Sequence, residues 1–560
     1  MFDPMRTNPI APLLLFSTIV LLAGCTNQKS TTPSQSASVS PTNPPPIDRE
    51  FRGVWVATVG NIDWPSKPGL TTGEQQREAL AILDKCYDLH LNVVVFQVRT
   101  SADALYDSPY EPWSEFLTGR QGQPPMPYYD PLEFWVAEAH RRGIELHAWF
   151  NPFRAKVPDA KGDRAANHVS RVHPEWVKDY GKYKWMDPGE KGAREYSLKV
   201  VLDVVRRYDV DGVHIDDYFY PYPEKGPDGK QMDFPDEPSW QRYLKSGGKL
   251  SRPDWRRDNI NRLIEDLYKC VHREKQWVKF GISPFGIWQP GYPKEVAGFN
   301  QFGELYADAK LWLNKGWCDY FTPQLYWKIS ATSQPYEGLL GWWVEQNWKK
   351  RYIVPGNFTS RVMDKGTRHW DAHELIDQIA ATRKQQGAQG NIHFSMKALM
   401  KDQDLSRKLA EGPYAKLALA PAWTWLDDEP PATPKVWTAR EGEDLRISWE
   451  PAGRRPWLWV LYTRRGDEWR AAVYPGNVST ILLRDDTRDG RPQAVAVSAV
   501  DRSGNESLRT FRTLLTPKPA TMVAGPVDAV SRRSGTVAKS ASRQKKYRWR
   551  YFFLALAKIC

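Results

Sequence analysis

The chain has 560 residues, which is too long for one hydrophobic core, so we expect two or three domains. Its formal net charge is +12, yet residues 518–560 alone hold ten Lys or Arg and one Asp. The rest of the chain is therefore nearly neutral, which excludes a basic body that binds nucleic acid. Aromatic residues make up 13% of the chain, including 26 Trp, and this favours an exposed surface of flat rings besides an aromatic core.

Residues 1–24 have the pattern of a bacterial signal peptide. Arg6 precedes an apolar run at 11–22, which is too short to remain in a bilayer as a spanning helix. The letters LAGC end at Cys25 and resemble a lipobox, which predicts lipidation of Cys25 and a membrane anchor. Thr26 favours the periplasmic side of the outer membrane, in the envelope of a Gram-negative cell. The alternative is an ordinary cleaved signal with a chance cysteine.

The remaining cysteines indicate neither a metal framework nor a disulfide network. Cys86, Cys270, Cys318 and Cys560 include no CxxC pair, which argues against a zinc site. Cys86 and Cys270 fall in helical patterns and Cys318 lies just before a strand. Buried free thiols are therefore favoured over a disulfide, and we expect no metal and no cofactor.

Residues 25–49 are rich in Ser, Thr and Pro, which predicts a flexible tether. Residues 50–427 then alternate strand-like with helix-like runs, which predicts an α/β fold, a (β/α)8 TIM barrel with long loops. A doubly wound sheet is the alternative, but no Gly-rich phosphate fingerprint follows the first strand. The predicted strands span 51–59, 92–99, 144–150, 210–216, 278–283, 320–326, 352–355 and 390–395. The predicted helices span 72–89, 131–142, 190–208, 258–274, 306–314, 342–349 and 372–386.

The stretch 210–223, VDGVHIDDYFYPYP, is the most informative in the chain. Period-two alternation places Gly212, His214 and Asp216 on one face of a strand, which must look into a polar interior such as a barrel mouth. Asp217 falls just past this strand. Two acids at the end of a barrel strand, followed by aromatic residues that can stack on sugars, indicate acid–base chemistry on a carbohydrate. The alternative is an Asp pair that caps a helix or pairs with an Arg.

The pattern changes after a Pro-rich linker at 429–434. Short alternating runs predict a small all-β sandwich over residues 428–515, similar to a fibronectin type III module. Trp449 is expected in its core. Residues 516–560 form a basic tail that we expect to be disordered, and the apolar run in that tail is too short to span a membrane. The predicted sandwich strands are 445–449, 457–463, 480–483 and 494–499.

Five motifs together resemble the glycosyl-hydrolase-like family 10. They are RGVWVATVGNIDWPS at 52–66, Arg99 with DALY and EPWS at 99–114, YYDPLEF at 128–134, AHRRGIELHAWFNPFR at 139–154 and DGVHIDDYFYPYP at 211–223. This family comprises bacterial envelope barrels and includes a divisome-associated peptidoglycan glycan hydrolase. The resemblance implies a TIM barrel over about residues 50–400, and hydrolysis of glycosidic bonds in peptidoglycan strands that lack stem peptides.

The resemblance also implies catalytic residues. Distantly related barrel glycosidases carry an Asp nucleophile at the end of strand four, which corresponds to Asp216. They place the acid on strand five or six, where this chain reads SPFGIW and TPQLYW without a carboxylate. The acid is therefore unassigned, with Asp217, Asp103 and Asp63 as candidates and Glu224 as a weaker one. Repulsion among clustered carboxylates would keep one of them protonated, as an acid must be.

Substrate contacts are expected from the residues that end the strands. Guanidinium groups suit the lactyl carboxylate of N-acetylmuramic acid, side-chain amides and imidazoles suit hydroxyl or acetamide groups, and aromatic rings suit stacking. Two other functions are open: a metal-dependent polysaccharide deacetylase with His147, His214, Asp216 and Asp217 as ligands, and a non-catalytic envelope protein that binds glycan. The predicted contacts are Arg99, His147, Asn151, Arg154, His214, Tyr218, Trp288, Gln324 and Tyr326.

Overall fold

The computed structural model describes residues 43–484 and 490–514. The predicted signal peptide, Cys25, most of the predicted tether and the basic tail lie outside the described residues. The largest sheet is built from eight parallel strands, named in chain order. They are β1 (Phe51–Val56), β2 (Val93–Arg99), β3 (Glu145–Phe150), β4 (Gly212–Ile215), β5 (Lys279–Ile282), β6 (Tyr320–Phe321), β7 (Tyr352–Ile353 and Gly356–Asn357) and β8 (Gly390–His393).

Each strand of this sheet pairs with the next one in sequence, and β8 pairs with β1. β7 has two halves: the first pairs with β6 and the second with β8. A further bridge joins Gln324 to Gly356. The sheet is therefore a curled, all-parallel sheet of the (β/α)8 type. Because its first and last strands pair, it is not the open doubly wound sheet that was the alternative.

A helix lies between each pair of successive strands. The helix predicted at 258–274 begins earlier, because Ser251 caps it and Pro253 fits its first turn. The helix predicted at 342–349 lies at Tyr336–Glu345 instead, where Tyr336, Leu339 and Trp343 form one buried face. None of the described helices is long and apolar enough to cross a membrane. The seven helices between successive strands are α1 (Thr72–Asp88), α2 (Pro131–His140), α3 (Lys191–Arg207), α4 (Arg252–Glu274), α5 (Ala309–Lys315), α6 (Tyr336–Glu345) and α7 (Ala372–Lys384).

The loops at the C-terminal ends of the strands, here called the rim, are long and partly ordered by their own structure. The loop between β3 and α3 folds into an antiparallel sheet of three strands, Arg154–Lys156, Tyr183–Met186 and Val177–Tyr180. This sheet presents Arg154, Tyr183 and Trp185 from well-defined backbone positions. Short helices Glu115–Thr118, Val169–Val172, Glu237–Lys245 and Gln301–Glu304 lie in the loops that follow β2, β3, β4 and β5.

The C-terminal part is a pair of antiparallel sheets with three and four strands. Trp449 and Trp459 are buried between them, which confirms the expected core position of Trp449. Three of the seven strands were not predicted, and all three are sheet edges whose residues are mostly exposed or half-buried, so their hydrophobic alternation is weak. One sheet holds Lys435–Glu441, Asp444–Glu450 and Thr480–Leu483. The other holds Leu458–Arg465, Glu468–Pro475, Ala494–Val500 and Thr510–Thr513.

The opposite end of the barrel-type sheet is covered by residues 423–426, which precede the Pro-rich linker to the sandwich. Trp423 is fully buried there, against Tyr320 and Tyr352 at the starts of β6 and β7. Residues 43–49, the last part of the predicted tether, also pack at this end, where Asp48–Arg49 pairs with Ala418–Leu419. The chain therefore enters the folded body at the end remote from the rim.

The sandwich holds the same end through Arg502. The Arg502 guanidinium donates hydrogen bonds to Asp209 and, at 2.5 Å, to Asp211 just before β4. Lys279, at the start of β5, donates to the Arg502 carbonyl at 2.9 Å. Asp211 is fully buried and also lies 2.8 Å from Nε2 of His140. One buried carboxylate thus joins the two parts of the chain.

We expect Arg502→Ala to lower the free energy of unfolding by about 1–3 kcal/mol, because a hydrogen bond between charged groups is lost. Burial opposes ionisation of Asp211, but His140 and Arg502 outweigh it and hold the Asp211 pKa well below its usual range. This stabilisation is therefore present above the unfolded-state pKa of about 3.9 and lost as the pH falls below it. Urea unfolding near neutral pH and at about pH 3 measures the effect. The free energy of unfolding should fall less between these two pH values in the variant than in the wild type. Equal acid losses would contradict the assignment.

Candidate active site

A column of hydrogen-bonded side chains fills the polar interior that the sheet encloses, and it fixes the orientation of two histidines. The Trp55 indole N–H donates to Nε2 of His214 at 3.2 Å, so Nδ1 of His214 carries the proton and faces the Tyr320 hydroxyl at 3.0 Å. That hydroxyl then donates to Nδ1 of His147 at 2.8 Å, and Nε2 of His147 faces Glu145 at 3.2 Å. Both histidines are fully buried in this column, so the structure gives them a structural role instead of the predicted substrate contacts.

Arg99 is also placed below the surface. Its guanidinium is fully buried and forms a two-point ion pair with Glu111, with N–O distances of 2.6–3.0 Å. It further donates to the carbonyl groups of Asn151 and Pro152. These bonds hold the loops after β2 and β3 together, and they replace the predicted contact between Arg99 and substrate.

Asp103 serves the turn after β2. Its Oδ1 accepts hydrogen bonds from the Thr100 hydroxyl at 2.7 Å and from the backbone N–H groups of Thr100 and Ser101. Asp63 is similarly held at the end of β1, where it bonds the N–H of Ala57 and the Ser395 hydroxyl. Both carboxylates organise loops through these bonds.

Asp216 lies at the end of β4, on the inward face that the alternation predicted. Its Oδ2 accepts from the Asn151 amide at 2.6 Å and the Trp149 indole N–H at 3.1 Å, and its Oδ1 accepts from the Tyr218 N–H at 3.3 Å. Burial raises the pKa of Asp216, while Arg154 and these donors oppose the rise. Three donors and a nearby guanidinium favour the carboxylate form of Asp216.

Asn151 and Arg154 connect Asp216 to the rim. The Asn151 carbonyl oxygen accepts from the Gln97 amide at 2.7 Å and from Arg154 at 2.8 Å, which turns the Asn151 amide N–H toward Asp216. Arg154 is nearly buried and lies 5.0 Å above the centre of the Tyr218 ring. Both predicted contacts therefore lie beside the carboxylate pair.

Asp217 differs from Asp216 in its surroundings. The Tyr222 hydroxyl donates to its Oδ2. Burial, and then the negative charge of Asp216, raise the Asp217 pKa to about 7, against hydrogen bonds from Tyr222 and Gln324. Adjacent carboxyl groups cannot both ionise easily, so Asp217 is largely protonated at slightly acid pH, where the donors around Asp216 favour its carboxylate form. This arrangement can donate a proton to a leaving oxygen.

The structure places one predicted aromatic contact, Tyr326, near the carboxylate pair and another, Trp288, away from it. Tyr326 lies near both aspartates. Burial is the main cause of its raised pKa, and the charges of Asp217 and Asp216 add to the rise. Its ring packs on Phe358, with 4.6 Å between the ring centres. Trp288 instead belongs to a cluster with Tyr292 and Trp342 on the loop after β5 and helix α6. No contact of Trp288 with the carboxylate pair exists among the described residues, which separates it from the site.

A small aromatic pocket is lined by Tyr222, whose hydroxyl donates to Asp217. Its volume is about 240 Å³, and aromatic rings from the three-stranded loop sheet and from the loop after β4 form its walls. Flat walls of this kind suit the faces of a sugar ring. The lining residues are Tyr183, Trp185, Tyr218, Pro221 and Tyr222.

Sequence reasoning missed several of these residues. Trp149 and Tyr222 bond directly to the two carboxyl groups, and Trp185 lines the pocket. Trp149 could have been found, because its inward position follows from the parity of β3. Tyr222 lies in an irregular proline-rich loop, where no periodicity indicates side-chain direction.

We expect Tyr222→Phe to move the alkaline limb of kcat/KM to higher pH. The Tyr222 hydroxyl stabilises ionised Asp217, so its removal raises the Asp217 pKa above about 7 and the acid stays protonated for longer. A pH–rate profile measures the shift. Tyr183→Phe, in the same pocket, is the control and should leave the limb in place. A limb that stays put or moves to lower pH in Tyr222→Phe would exclude Asp217 as the titrating acid.

The structure does not bring the residues proposed as metal ligands together around one point. His214 bonds Trp55 and Tyr320, and His147 faces Glu145 two residues nearer the start of its strand. Within the part of the chain that the structure describes, no three His, Cys, Asp or Glu side chains are arranged around a common point. Cys86 and Cys318 are buried free thiols, in line with the sequence.

Comparisons with known proteins identify the family of this chain. The family model described as glycosyl hydrolase-like 10 matches residues 50–372. Glycosyl hydrolase YngK of Bacillus subtilis (strain 168) is 36% identical over 484 residues, 83% of this chain and 93% of the relative. Glycosyl hydrolase DigH of Escherichia coli (strain K12) is 34% identical over 360 residues, 60% of this chain and 79% of the relative.

Solved structures with similar folds are more distant. The PgaB (BpsB) glycoside hydrolase domain from Bordetella bronchiseptica aligns with a TM-score of 0.42 and 13% identity, over 65% of this chain and 98% of that domain. The catalytic domain of β-amylase from Paenibacillus polymyxa gives a TM-score of 0.42 and 12% identity, over 63% and 94%. On the family match and the sequence relatives, the chain belongs to the glycosyl hydrolase-like 10 family and is a glycoside hydrolase.

Proposed function

We propose that this glycoside hydrolase cleaves O-glycosidic bonds in a bacterial cell-wall polysaccharide, namely peptidoglycan strands that lack stem peptides. The observation that carries this proposal is the unequal carboxyl pair beside an aromatic pocket. Asp217 supplies a proton to the leaving oxygen, and Asp216 is held as a carboxylate by the three donors around it. The five motifs that resemble the family support the choice of polymer.

The position of Arg154 favours a polymer that contains an acidic sugar. Its guanidinium lies at the edge of the pocket, over Tyr218, and two of its three nitrogens are bonded to Thr100 and Asn151. The lactyl carboxylate of N-acetylmuramic acid is the acidic group of the glycan strand. An arginine fixed in this way recognises a carboxylate with little loss of side-chain freedom.

We also propose the location of the protein and the nature of its C-terminal part. Lipidation at Cys25, which lies outside the described residues, would anchor the chain to the outer membrane on the periplasmic side. The two-sheet C-terminal part, with three and four antiparallel strands, matches the arrangement of a fibronectin type III module. Its contacts at the remote end of the barrel suit a spacer.

Digestion of purified glycan strands tests the proposed substrate. Strands with and without stem peptides are incubated with wild type and with Asp216→Asn, and the products are analysed by mass spectrometry. We expect cleavage of the bare strands, little cleavage of the peptide-bearing ones, and loss of cleavage in the variant. Binding without any cleavage by the wild type would instead support the alternative of a glycan-binding protein.

A further inference from the structure

The two carboxyl groups of the site lie on one side of it. Asp216 and Asp217 are consecutive, so their Cα atoms are about 3.8 Å apart. Trp149 and Asn151 draw the Asp216 carboxylate toward β3, whereas Tyr222 holds Asp217 toward the loop that follows β4. Direct displacement at a sugar carbon instead needs two carboxyl groups on opposite sides of the scissile bond.

Five other acidic side chains of the rim, the acid candidates among them, already have partners. Glu111 is paired with Arg99 in the interior. The remaining four are bonded in their own loops or to nearby cations, and none of these contacts includes Asp216 or Asp217. They are Asp63 (Ala57, Ser395), Asp103 (Thr100, Ser101), Glu115 (Arg164) and Glu224 (Lys182). Because none of these five contacts the carboxyl pair, the group that attacks opposite Asp217 is expected to come from the substrate.

Resting on the proposed function, we propose that the substrate itself supplies the nucleophile, through the 2-acetamido group of an N-acetylhexosamine whose N–H is bound by Asp216. The enzyme would then require an N-acetylated sugar at the position that is cleaved. Asp217 acts as the acid, and Asp216 acts by holding and polarising the acetamide.

The hydrogen bonds of Asp216 leave room for this contact. A carboxylate offers about four lone-pair sites, and three on Asp216 accept from Asn151, Trp149 and the Tyr218 N–H. One site on Oδ1 is left for an amide N–H. Because the existing donors fix the carboxylate and favour its ionised form, it is prepared to accept that hydrogen bond.

An apolar wall next to Asp216 suits the acetamide methyl group. Tyr326 lies near both aspartates and packs on Phe358 and Phe394, with ring centres 4.6 and 5.9 Å apart. Phe394 in turn lies 6.0 Å from Trp55, beneath the rim. A sugar with a free amine would place a charged ammonium against these rings in place of a methyl group, which costs desolvation energy.

The reaction balances with water as the only co-reactant. The acetamide oxygen attacks C1 as the bond from C1 to the leaving oxygen breaks, and Asp217 gives its proton to that oxygen. Asp216 accepts the N–H proton of the oxazolinium ion so formed, which leaves the neutral oxazoline. Water then adds to C1, Asp217 takes a proton from it, the C1–O bond of the oxazoline breaks, and Asp216 returns its proton to the nitrogen. The configuration at C1 is retained and no bond to the protein forms.

Binding of a thiazoline analogue of N-acetylglucosamine tests this proposal without any turnover. This probe mimics the oxazoline, so we expect calorimetry to show it binding at least about 100-fold more tightly than N-acetylglucosamine itself. Asp216→Asn should abolish that preference, whereas Asp228→Asn, an exposed residue of the same loop, should keep it. Absence of the preference in the wild type would overturn the proposal, even if bare strands are cleaved.

Hydrolysis gives a second readout. We expect retention of configuration by NMR, and a rate on chemically N-deacetylated strands at least about 100-fold below that on N-acetylated ones. Inversion, equal rates, or a covalent glycosyl-enzyme trapped by a 2-fluoro sugar would each overturn the proposal. Tight thiazoline binding without cleavage of any peptidoglycan strand would leave it standing and refute the proposed polymer instead.

Discussion

Replacing Asp217 by Asn should lower kcat for glycan hydrolysis by about 10²–10⁴-fold, the usual range for removal of a general acid. Burial and the charge of Asp216 raise the Asp217 pKa to about 7, so the side chain is largely neutral at slightly acid pH. Asn is neutral and has the same shape, so the fold should not change. The measurement is steady-state hydrolysis of a glycan and of an aryl glycoside with a good leaving group.

Two substrates with different leaving groups distinguish the loss of the general acid from a general loss of activity. A phenolate that leaves without protonation needs no acid, so the loss in Asp217→Asn should be much smaller on the aryl glycoside than on the glycan. Asp228→Asn, in the same loop but exposed, should retain wild-type rates on both. Equal losses on the two substrates would remove Asp217 from the acid role.

Trp423→Ala should lower the free energy of unfolding by about 3–5 kcal/mol, the range for truncating a fully buried Trp. Trp423 fills the end of the sheet remote from the rim, where it contacts Tyr320 and Tyr352 and lies 5.9 Å from the ammonium group of Lys279. Truncation leaves a cavity that these rings cannot close without leaving their strands. Urea unfolding followed by fluorescence or circular dichroism measures the change.

Two further variants define the cause of that loss. Trp348→Ala removes an indole that is 70% exposed and should change stability by no more than about 0.5 kcal/mol. Trp423→Phe should cost far less than Trp423→Ala, because the Trp423 indole N–H has no hydrogen-bond partner among the described residues and most apolar contact is kept. A Phe variant as unstable as the Ala variant would show that packing volume is not the cause.

The sheet could be predicted because its signals are local. The eight runs of apolar residues and the parity of 210–216 place Asp216 and His214 on the inward face, and the structure agrees. The direction of a strand residue follows from its neighbours alone. The depth of that residue does not, and depth decides that His214 is a core residue whereas Asp216 reaches the rim.

The parts that could not be predicted depend on partners far away in sequence. Arg99 looks like a rim cation until Glu111, in an irregular loop, is seen to neutralise it. The role of Trp423 requires knowledge of which strand ends lie next to one another. Asp217 was an acid candidate only by adjacency, and its distinction from Asp216 comes from Tyr222, Asn151 and Trp149.

The strand that carries the acid pair is fastened at both of its ends. At one end Asp216 is bonded to the neighbouring strand, and about 16 Å away along the chain Asp211 is bonded to Arg502 of the sandwich. Cutting the protein at the linker would strip Asp211 of a cation and uncover the surface around Trp423. A fragment that ends before the linker is therefore expected to be less stable than the full chain and less suitable for measurements of activity.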